Sequence, residues 1–119
     1  MVSAVTVIGV GIDLVDLERV RSLLTSKGEK AMTRFFSERE RDYLATRTDA
    51  TGHAAARIAA KEAVYKALGR AAIPLTAISV TRDAKGRPAV KLHGKIASGL
   101  KLSLSHGRDH AVAVAVRLP

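Results

Sequence analysis

The spacing of apolar residues changes from strand-like to helix-like near the start of the chain. Residues 5–12, VTVIGVGI, are apolar and β-branched on both faces, which predicts a buried strand ending at Asp13. From residue 14 to residue 26 the apolar residues recur at helical spacing, and Gly28 ends that pattern. The opening pattern therefore predicts one strand followed directly by one helix.

Two further helices are predicted in the middle of the chain. Ser37 with Glu40 three residues later is a capping-box signature, which places a helix at 37–47. The alanine-rich segment 51–69 is the strongest helix pattern, and Gly69 is suited to its C-terminal cap.

The last third of the chain is strand-like. Residues 77–83 and 89–94 flank a turn and predict one hairpin, and residues 100–106 and 110–118 predict a second. Valines alternate with alanines in the last strand, so we expect both of its faces to be covered. The order predicts an α+β fold, with an N-terminal strand and helices packed on a mainly antiparallel sheet in a single domain over residues 1–119.

The chain is strongly basic. Its 20 Lys and Arg residues against 11 acidic residues give a formal charge of +9, which attracts nucleic acid, an acidic protein or a phosphorylated cofactor. Only four aromatic residues are present and no nucleic-acid motif is found, which argues against a surface that stacks bases. These observations count against nucleic acid, but the charge alone leaves nucleic acid open beside an acidic protein and a phosphorylated cofactor.

The composition also excludes cysteine chemistry and argues against a signal peptide and a membrane span. Cysteine is absent, which excludes disulfides, thiolate metal sites and a cysteine nucleophile, and permits a reducing cytoplasm. Asp13 and Asp16 interrupt the first apolar run, so we expect no signal peptide. No segment reaches the roughly 20 apolar residues of a membrane span, so we expect no membrane partner.

Asp13 is the first candidate for chemistry. A strand that ends in GxGxD places a carboxylate at the carboxyl end of a sheet, where ligands bind in many folds. Asp13 could equally cap the following helix. The third glycine of a dinucleotide fingerprint is missing after Gly9 and Gly11. Spacing alone leaves the ligand and cap interpretations open.

The helix at 51–69 presents a charged arc opposite its alanines. Glu62 is a suitable oxygen ligand for Mg²⁺, and neighbouring cations suit a diphosphate. The alternative is a solvated face, in which Glu62 and Lys66 form an ordinary i,i+4 pair. The cations of this arc are Arg57, Lys61 and Lys66.

The histidines are weaker candidates. His106 and His110 are four residues apart, which invites a zinc hypothesis, but they flank a turn and lack a third ligand nearby in sequence. We therefore do not expect zinc. His53 and His93 are expected at the surface.

Four segments together resemble one family. They are VIGVGIDLVDLERV, RFFSERE, ARIAAKEAVYKALG and SLSHGRDHAVAVAV. In this order they resemble the GxD segment, the Phe-Ser/Thr-x-x-Glu segment, the Lys-Glu-Ala signature with its following lysine, and the Ser-x-Ser-His segment of phosphopantetheinyl transferases of the holo-acyl-carrier-protein-synthase type. The four matches span nearly the whole chain.

The resemblance implies an activity and a set of site residues. The implied reaction moves 4′-phosphopantetheine from coenzyme A to a serine of an apo acyl carrier protein and releases 3′,5′-ADP, with Mg²⁺ as cofactor. Glu40 has an implied role that is either structural or supportive. The implied residues are Asp13 and Glu62 for the metal; Asp13, Glu62, Lys66 and His106 for catalysis; Arg57, Lys61, Lys66 and His106 for the coenzyme; and Arg19 and Arg21 for the carrier protein.

The resemblance also implies an assembly. Short members of the family are cytoplasmic homotrimers with active sites between subunits, so one subunit would supply Asp13 and Glu62 and its neighbour part of the coenzyme pocket. The chain departs from the family at Ile58, where an aromatic residue is usual, and we expect a packing change there. The short stretch between Lys95 and Leu102 predicts an abbreviated helix.

Some alternatives stay open at this stage. A basic nucleic-acid module would not need Asp13 or Glu62, and its binding would be sensitive to salt. An inactive relative would bind coenzyme A without turnover. The general base is either Asp13 or a metal-bound water, and the carrier protein is of the fatty-acid or polyketide type.

Overall fold

A computed structural model describes residues 4–70 and 72–119 and confirms the α+β fold. It contains four α-helices and two three-stranded antiparallel sheets. In chain order the elements are β1 (Gly9–Asp16), α1 (Leu17–Lys27), α2 (Glu29–Phe35), α3 (Glu38–Ala45), α4 (Thr51–Ala67), a 3-10 turn (Leu75–Ala77), β2 (Ile78–Arg82), β3 (Pro88–Leu92), β4 (Lys95–Ile96), β5 (Leu100–His106) and β6 (His110–Arg117).

The first sheet has the order β1-β6-β5, and the second has the order β2-β3-β4. Both predicted hairpins are confirmed, as β2–β3 and β5–β6. Instead of an abbreviated helix, the stretch after Lys95 forms the two-residue strand β4 and a turn into β5. The central strand of the first sheet is the last in sequence, so the two ends of the chain are joined in that sheet.

Helix α4 packs on the first sheet through its alanines, which are fully buried at Ala59 and Ala63. The approach to β1 is so close that a Cβ at Gly11 would lie 1.8 Å from the carbonyl oxygen of Ala63. A Cβ at Gly9 would likewise lie 2.0 Å from the carbonyl oxygen of Ala67. The two glycines of the GxGxD segment therefore serve the contact between strand and helix.

Strand β1 begins at Gly9, not at residue 5, and continues beyond its predicted end. The prediction of a strand buried on both faces is wrong for the described chain, because Val10, Ile12 and Leu14 are exposed. The strand runs to Asp16 because β6 pairs with it throughout, and Asp13 lies opposite Ala113. The Asp16 side chain accepts a hydrogen bond from the backbone N–H of Glu18 at 2.9 Å and caps α1. The interpretation of Asp13 as the helix cap is therefore wrong.

The capping box of α3 is confirmed, and the helix before it was not predicted. Ser37 accepts from the backbone of Glu40, and Glu40 accepts from the backbone of Ser37. Helix α2 follows Gly28, whose φ of 50° turns the chain sharply between two helices. Only two turns long, α2 offered too few apolar positions for a periodic pattern.

The outer face of the first sheet is apolar and open in the described chain. The alanines of β6 are buried under α4, but Val112 and Val114 are exposed, so the expectation that both faces are covered is wrong for a single chain. They lie in register with Leu14 and Ile12 of β1. We call this the apolar sheet face, formed by Val10, Ile12, Leu14, Val112 and Val114.

The helices of residues 4–70 and 72–119 include none with both the length and the apolar content needed to cross a membrane.

Candidate active site

A groove of about 790 Å³ lies between β1, α1 and α4. Asp13 reaches it from the middle of β1, and Glu62 reaches it from α4. We call it the α1 groove, bounded by Asp13, Arg19, Leu23, Ile58 and Glu62. Two carboxylates that are far apart in sequence thus line one opening, as the family resemblance implied.

Lys66 is attached to the same site. Its ammonium donates to the carbonyl oxygen of Ile12 at 2.9 Å and lies 3.3 Å from Oδ1 of Asp13. Both side chains remain partly exposed, so this ion pair adds little to stability. The pair instead fixes the position of the Asp13 carboxylate beside the groove that Glu62 also lines.

The donor set fits magnesium rather than zinc. Mg²⁺ takes one or two carboxylates and completes its shell with phosphate oxygens and water. Among the described residues, no group of three His, Asp or Glu side chains could hold a metal ion by itself. Asp13 and Glu62 therefore suit a magnesium ion that shares its coordination shell with a substrate phosphate. A zinc site needs three or four protein ligands, and the described residues do not bring such a set together around His106 and His110.

Contrary to the sequence pattern, Lys61 does not lie on an exposed charged face of α4. Its side chain is fully buried, and its ammonium is 2.5 Å from Oε1 of Glu40. The ammonium also donates to the carbonyl oxygens of Ile78 at 2.6 Å and Leu75 at 3.0 Å. All three ammonium donors are therefore engaged, and the prediction that Lys61 faces the coenzyme phosphates beside Glu62 is wrong. Burial lowers the pKa of Lys61, opposed by the charge of Glu40.

Glu40 holds three elements together. Its Oε1 accepts from the backbone N–H of Ser37 at 3.0 Å, and its Oε2 accepts from that of Val80 at 3.1 Å. The Ser37 hydroxyl also lies 3.0 Å from the hydroxyl of Ser79. The resemblance left the role of Glu40 as structural or supportive, and these contacts favour the structural alternative.

A second cluster surrounds the first turns of α4. The rings of His53 and His106 meet edge to face with centroids 5.4 Å apart, and Tyr43 meets His53 in the same way at 5.8 Å. Gly52 makes room for this contact, because a Cβ there would lie 2.6 Å from Nδ1 of His106. His53 was expected at the surface, but it is half-buried between these two rings.

Cations accumulate at this cluster. The guanidinium carbons of Arg47 and Arg57 lie 4.5 and 4.2 Å from the ring centroid of Tyr43. Burial lowers the pKa of His53, and the charges of His106 and nearby arginines lower it further. We call this the cationic cluster, formed by Arg47, His53, Arg57, Arg82 and His106.

Arg57 is the most buried member of the cationic cluster. It is only 7% exposed, and burial lowers the pKa of its guanidinium. Its Nε has no hydrogen-bond partner within the part of the chain that the structure describes. It lines a cleft of about 240 Å³ with Arg39, Tyr43 and Arg82. A buried guanidinium with a free donor, beside further arginines, suits an anion such as a phosphate.

The two sites lie on opposite flanks of α4. At 100° per residue, Glu62 is roughly 140° from Arg57 and roughly 180° from His53 around the helix. The predicted single arc is therefore two rows, and the described chain does not bring His106 to the carboxylates. The rows are His53, Arg57 and Lys61 on one flank, and Ile58, Glu62 and Lys66 on the other.

The two arginines assigned to the carrier protein lie on different faces of α1. Arg19 lines the α1 groove, whereas the exposed guanidinium of Arg21 is paired with Glu18 at 2.7 Å. Lys30 and Arg34 of α2 add positive charge close by, lining a cleft with Leu23. The sequence did not single out Lys30 and Arg34 because α2 was not predicted. Ile58, in the usual aromatic position, lines the α1 groove and packs against the core formed by α1, α3 and α4.

A family sequence profile that matches almost the whole chain identifies the family. The sequence profile described as the 4′-phosphopantetheinyl transferase superfamily matches residues 9–115. This chain belongs to that superfamily. Its curated relatives include the holo-[acyl-carrier-protein] synthase of Trichlorobacter lovleyi, 38% identical over 92% of this chain and 96% of the relative. The corresponding synthase of Syntrophus aciditrophicus is 40% identical over 91% of this chain and 93% of the relative.

Solved structures of the same enzyme have the same fold. The holo-(acyl-carrier-protein) synthase of Bacillus anthracis, in complex with CoA (3′,5′-ADP), has a TM-score of 0.82 and 31% identity, covering 94% of this chain and 96% of that one. The synthase of Neisseria meningitidis has a TM-score of 0.84 and 28% identity, covering 96% of this chain and 100% of that one. The synthase of Helicobacter pylori, in complex with coenzyme A, has a TM-score of 0.77 and 26% identity, covering 92% of this chain and 99% of that one.

These similarities establish the enzyme class. The chain is a transferase of the holo-[acyl-carrier-protein] synthase type, as the four segments indicated. The hypothesis of a nucleic-acid module rested on the positive charge alone, and family membership now accounts for that charge without nucleic acid.

Proposed function

We propose that this chain, as one domain over residues 1–119, transfers 4′-phosphopantetheine from coenzyme A to a serine of an apo acyl carrier protein in a Mg²⁺-dependent reaction. The serine hydroxyl gives its proton to a general base, either Asp13 or water, as its oxygen forms a bond to the β-phosphorus. The bond from that phosphorus to the bridging oxygen breaks, and 3′,5′-ADP leaves with the electron pair of that bond. The observation that carries the proposal is the presence of Asp13 and Glu62 in one groove, with Lys66 beside Asp13.

The chain's residues have distinct parts in this chemistry. Asp13 and Glu62 would hold Mg²⁺, which when bound neutralises charge on the diphosphate. Lys66 is close enough to Asp13 to share the site, and its ammonium would stabilise charge on the leaving phosphate. Phosphoryl transfer depends mainly on such positioning and charge stabilisation, so covalent participation by the protein is unnecessary.

The cationic cluster is proposed to bind the nucleotide end of coenzyme A. Arg57 lines a cleft with Arg82, and its buried Nε has no hydrogen-bond partner among the described residues. His106 lies at the same end of α4. The relatives from Bacillus anthracis and Helicobacter pylori were solved with the coenzyme or its nucleotide portion. The buried contacts of Lys61 exclude it from this role in our proposal.

We also propose a homotrimer with active sites between subunits. The two candidate sites lie on opposite flanks of α4, so the carboxylates of one subunit would need the cationic cluster of a neighbour. The apolar sheet face supplies a surface for that assembly, because contiguous exposed aliphatic side chains favour association. The trimer and a cytoplasmic location follow the family resemblance.

An acidic carrier protein is proposed to dock beside Arg19, with Arg21 at the outer edge of the surface. Arg19 lines the groove that holds the carboxylates, so a carrier bound there would present its serine to them. The formal charge of +9 would speed encounter with an acidic partner, and salt would weaken that effect.

Intact-mass spectrometry tests the proposed function directly. An apo acyl carrier protein is incubated with the chain, coenzyme A and Mg²⁺, with EDTA as the metal control and the Glu62→Ala variant as the protein control. We expect the mass of one phosphopantetheine to be added to the serine with the wild-type chain and Mg²⁺ only. Coenzyme A binding without transfer to any of several apo carriers would instead identify an inactive relative.

A further inference from the structure

His53 lies among the cations of the cationic cluster, although the proposed function gives it no part. Its ring meets those of Tyr43 and His106 edge to face, with centroids 5.8 and 5.4 Å away. The Tyr43 hydroxyl lies 3.5 Å from Nδ1 of His53. The guanidinium of Arg57 reaches back along α4 and donates to the carbonyl oxygen of His53 at 3.4 Å. An anion held by Arg57 would therefore lie close to the imidazole of His53.

The charged groups that act on His53 are mostly positive. Burial lowers the pKa of its imidazole, and the charges of His106 and three arginines lower it further. Asp49 is the acidic member of the set, and its carboxylate already accepts from the backbone N–H of Thr51 at 3.1 Å. The groups are Tyr43 of α3, Arg47 and Asp49 of the loop before α4, Arg57 of α4, Arg82 of β2 and His106 of β5.

A bound phosphate would reverse this balance of charge. In the chain by itself, a proton on His53 adds a positive charge to a group of cations, so the neutral ring is favoured. A phosphate monoester carries about −1.5 to −2 charge near neutral pH, and an opposite charge nearby favours the protonated ring. The Tyr43 hydroxyl can donate to a neutral Nδ1 or accept from a protonated one, so this contact is compatible with both states.

We propose that His53 takes up a proton when a phosphate monoester binds at the cationic cluster, and thereby makes the affinity for coenzyme A and for 3′,5′-ADP depend on pH. This inference rests on the proposed function, which places the nucleotide end of the coenzyme at the cluster. The proton comes from solvent and returns to solvent when the ligand leaves, and no covalent bond of the ligand changes.

The direction of the pH effect follows from linkage. The bound anion raises the pKa of His53, so binding takes up a proton between the pKa of the free chain and that of the complex. Affinity therefore rises as the pH falls through that range. It levels off below the pKa of the free chain, because the proton is then bound in both states. The product 3′,5′-ADP has the same nucleotide end as the coenzyme, so its release is favoured at higher pH.

Calorimetry of 3′,5′-ADP binding tests the proposal without the carrier protein. Binding is measured between about pH 6 and 8 in non-phosphate buffers of different ionisation enthalpy, which gives the number of protons taken up. His53→Phe keeps a ring for the edge contacts, and His53→Gln keeps a polar group near Tyr43, but neither side chain titrates. We expect the wild-type chain to take up about half a proton more than either variant near pH 7. Its affinity should fall about 5- to 10-fold more across this pH range.

Two controls isolate the contribution of His53. The phosphate of the ligand titrates with a second pKa of about 6, but this contribution is common to all the chains and cancels in the comparison. His93→Asn removes an exposed histidine from a turn and should retain the proton uptake of the wild-type chain.

Equal proton uptake in the wild-type chain and both His53 variants would overturn the proposal. Binding that is weakened by the same factor at every pH in both variants would also overturn it, because His53 would then act only through the shape of the cluster. These results differ from failure of the proposed function, in which the wild-type chain itself would neither bind coenzyme A nor transfer its arm.

Discussion

The ammonium of Lys61 lies 2.5 Å from Oε1 of Glu40, and both side chains are buried. The lysine belongs to the signature that also supplies Glu62, and the glutamate belongs to the capping box of α3. Two of the most recognisable segments of the sequence therefore meet in one internal ion pair. The pair joins α4 to α3, and Glu40 also accepts from the backbone N–H of Val80 in β2.

Breaking this pair from one side should destabilise the chain strongly. Lys61→Met leaves the Glu40 carboxylate buried without its cation, at an expected cost of about 3–5 kcal/mol. Glu40→Gln leaves the ammonium without its anion. Urea unfolding of both single variants and of the double variant measures the coupling energy between the two side chains. We expect the double variant to lose about 2 kcal/mol less unfolding free energy than the two single variants lose together. Strict additivity would show that the pair contributes nothing as a pair.

Gly11→Ala should be poorly tolerated. The added methyl would lie 1.8 Å from a backbone oxygen of α4, so the helix must move away from β1 at a cost of about 1–3 kcal/mol or more. Gly107→Ala is the control, since a Cβ there would meet no described atom within 4 Å. Thermal unfolding should separate the two variants clearly, and equal midpoints would contradict the close packing described for α4.

Magnesium-dependent transfer should be largely lost when the charge of either Asp13 or Glu62 is removed. Asp13→Asn and Glu62→Gln preserve shape but remove the negative charge that a magnesium ion requires, so we expect transfer rates to fall by about 100-fold or more. Circular dichroism should remain that of the wild-type chain, because both residues line an open groove. Glu18→Gln, on the outer surface of α1, is the control for charge loss. Full activity in Glu62→Gln would exclude it as a metal ligand.

Acid should destabilise the chain partly through His53. Burial and nearby cations hold the pKa of His53 below its ordinary value of 6.5, so the unfolded chain binds more protons just below that pH. The resulting stability is present above pH 6.5 and is lost as the pH falls through the folded-state pKa. Melting temperatures measured between about pH 5 and 7.5 should therefore rise less steeply in His53→Gln than in the wild-type chain.

His93→Asn serves as the control for this pH dependence, because His93 is exposed in a turn with a φ of 49°, which asparagine tolerates. Its profile should match that of the wild-type chain. Identical slopes for the wild-type and His53→Gln chains would mean that His53 titrates alike in the folded and unfolded states.

The apolar sheet face should control self-association. Val114→Glu places a charge in the centre of that face, beside Ile12 in the register of β1 and β6. We expect light scattering to show a fall from three chain masses to one. Ile96→Glu changes an equally apolar exposed residue on the other sheet and should leave the mass unchanged. A wild-type monomer would contradict the trimer directly.

Local signals in the sequence were sufficient for most of the fold. The capping box at Ser37, the alanines of α4 and the two C-terminal hairpins each depend on nearby residues, and each was predicted correctly. Strand β1 was cut short at Asp13 because its remaining residues are held by pairing with β6, nearly a hundred residues away in sequence. Such tertiary pairing overrides local composition.

The candidate site was likewise predicted only in part, because some of its features depend on residues that are distant in sequence. Asp13, Glu62 and Lys66 are brought together as the family segments implied. Helical periodicity correctly separated the alanines of α4 from its charges, but it could not tell which charges face water. Lys61 is buried because Glu40 and two carbonyl oxygens of a distant segment accept its protons, and no spacing rule within one helix contains that information.

The pairing of β1 with β6 also sets the order in which the molecule can be completed. Gly9 lies opposite Arg117, and Asp13 lies opposite Ala113, so β1 is paired with a strand that comes about a hundred residues later in sequence. During synthesis on the ribosome, β1 can therefore complete this pairing only after β6 has emerged. The helix bearing Glu62 can form much earlier from local contacts, so the two halves of the candidate site mature at different times.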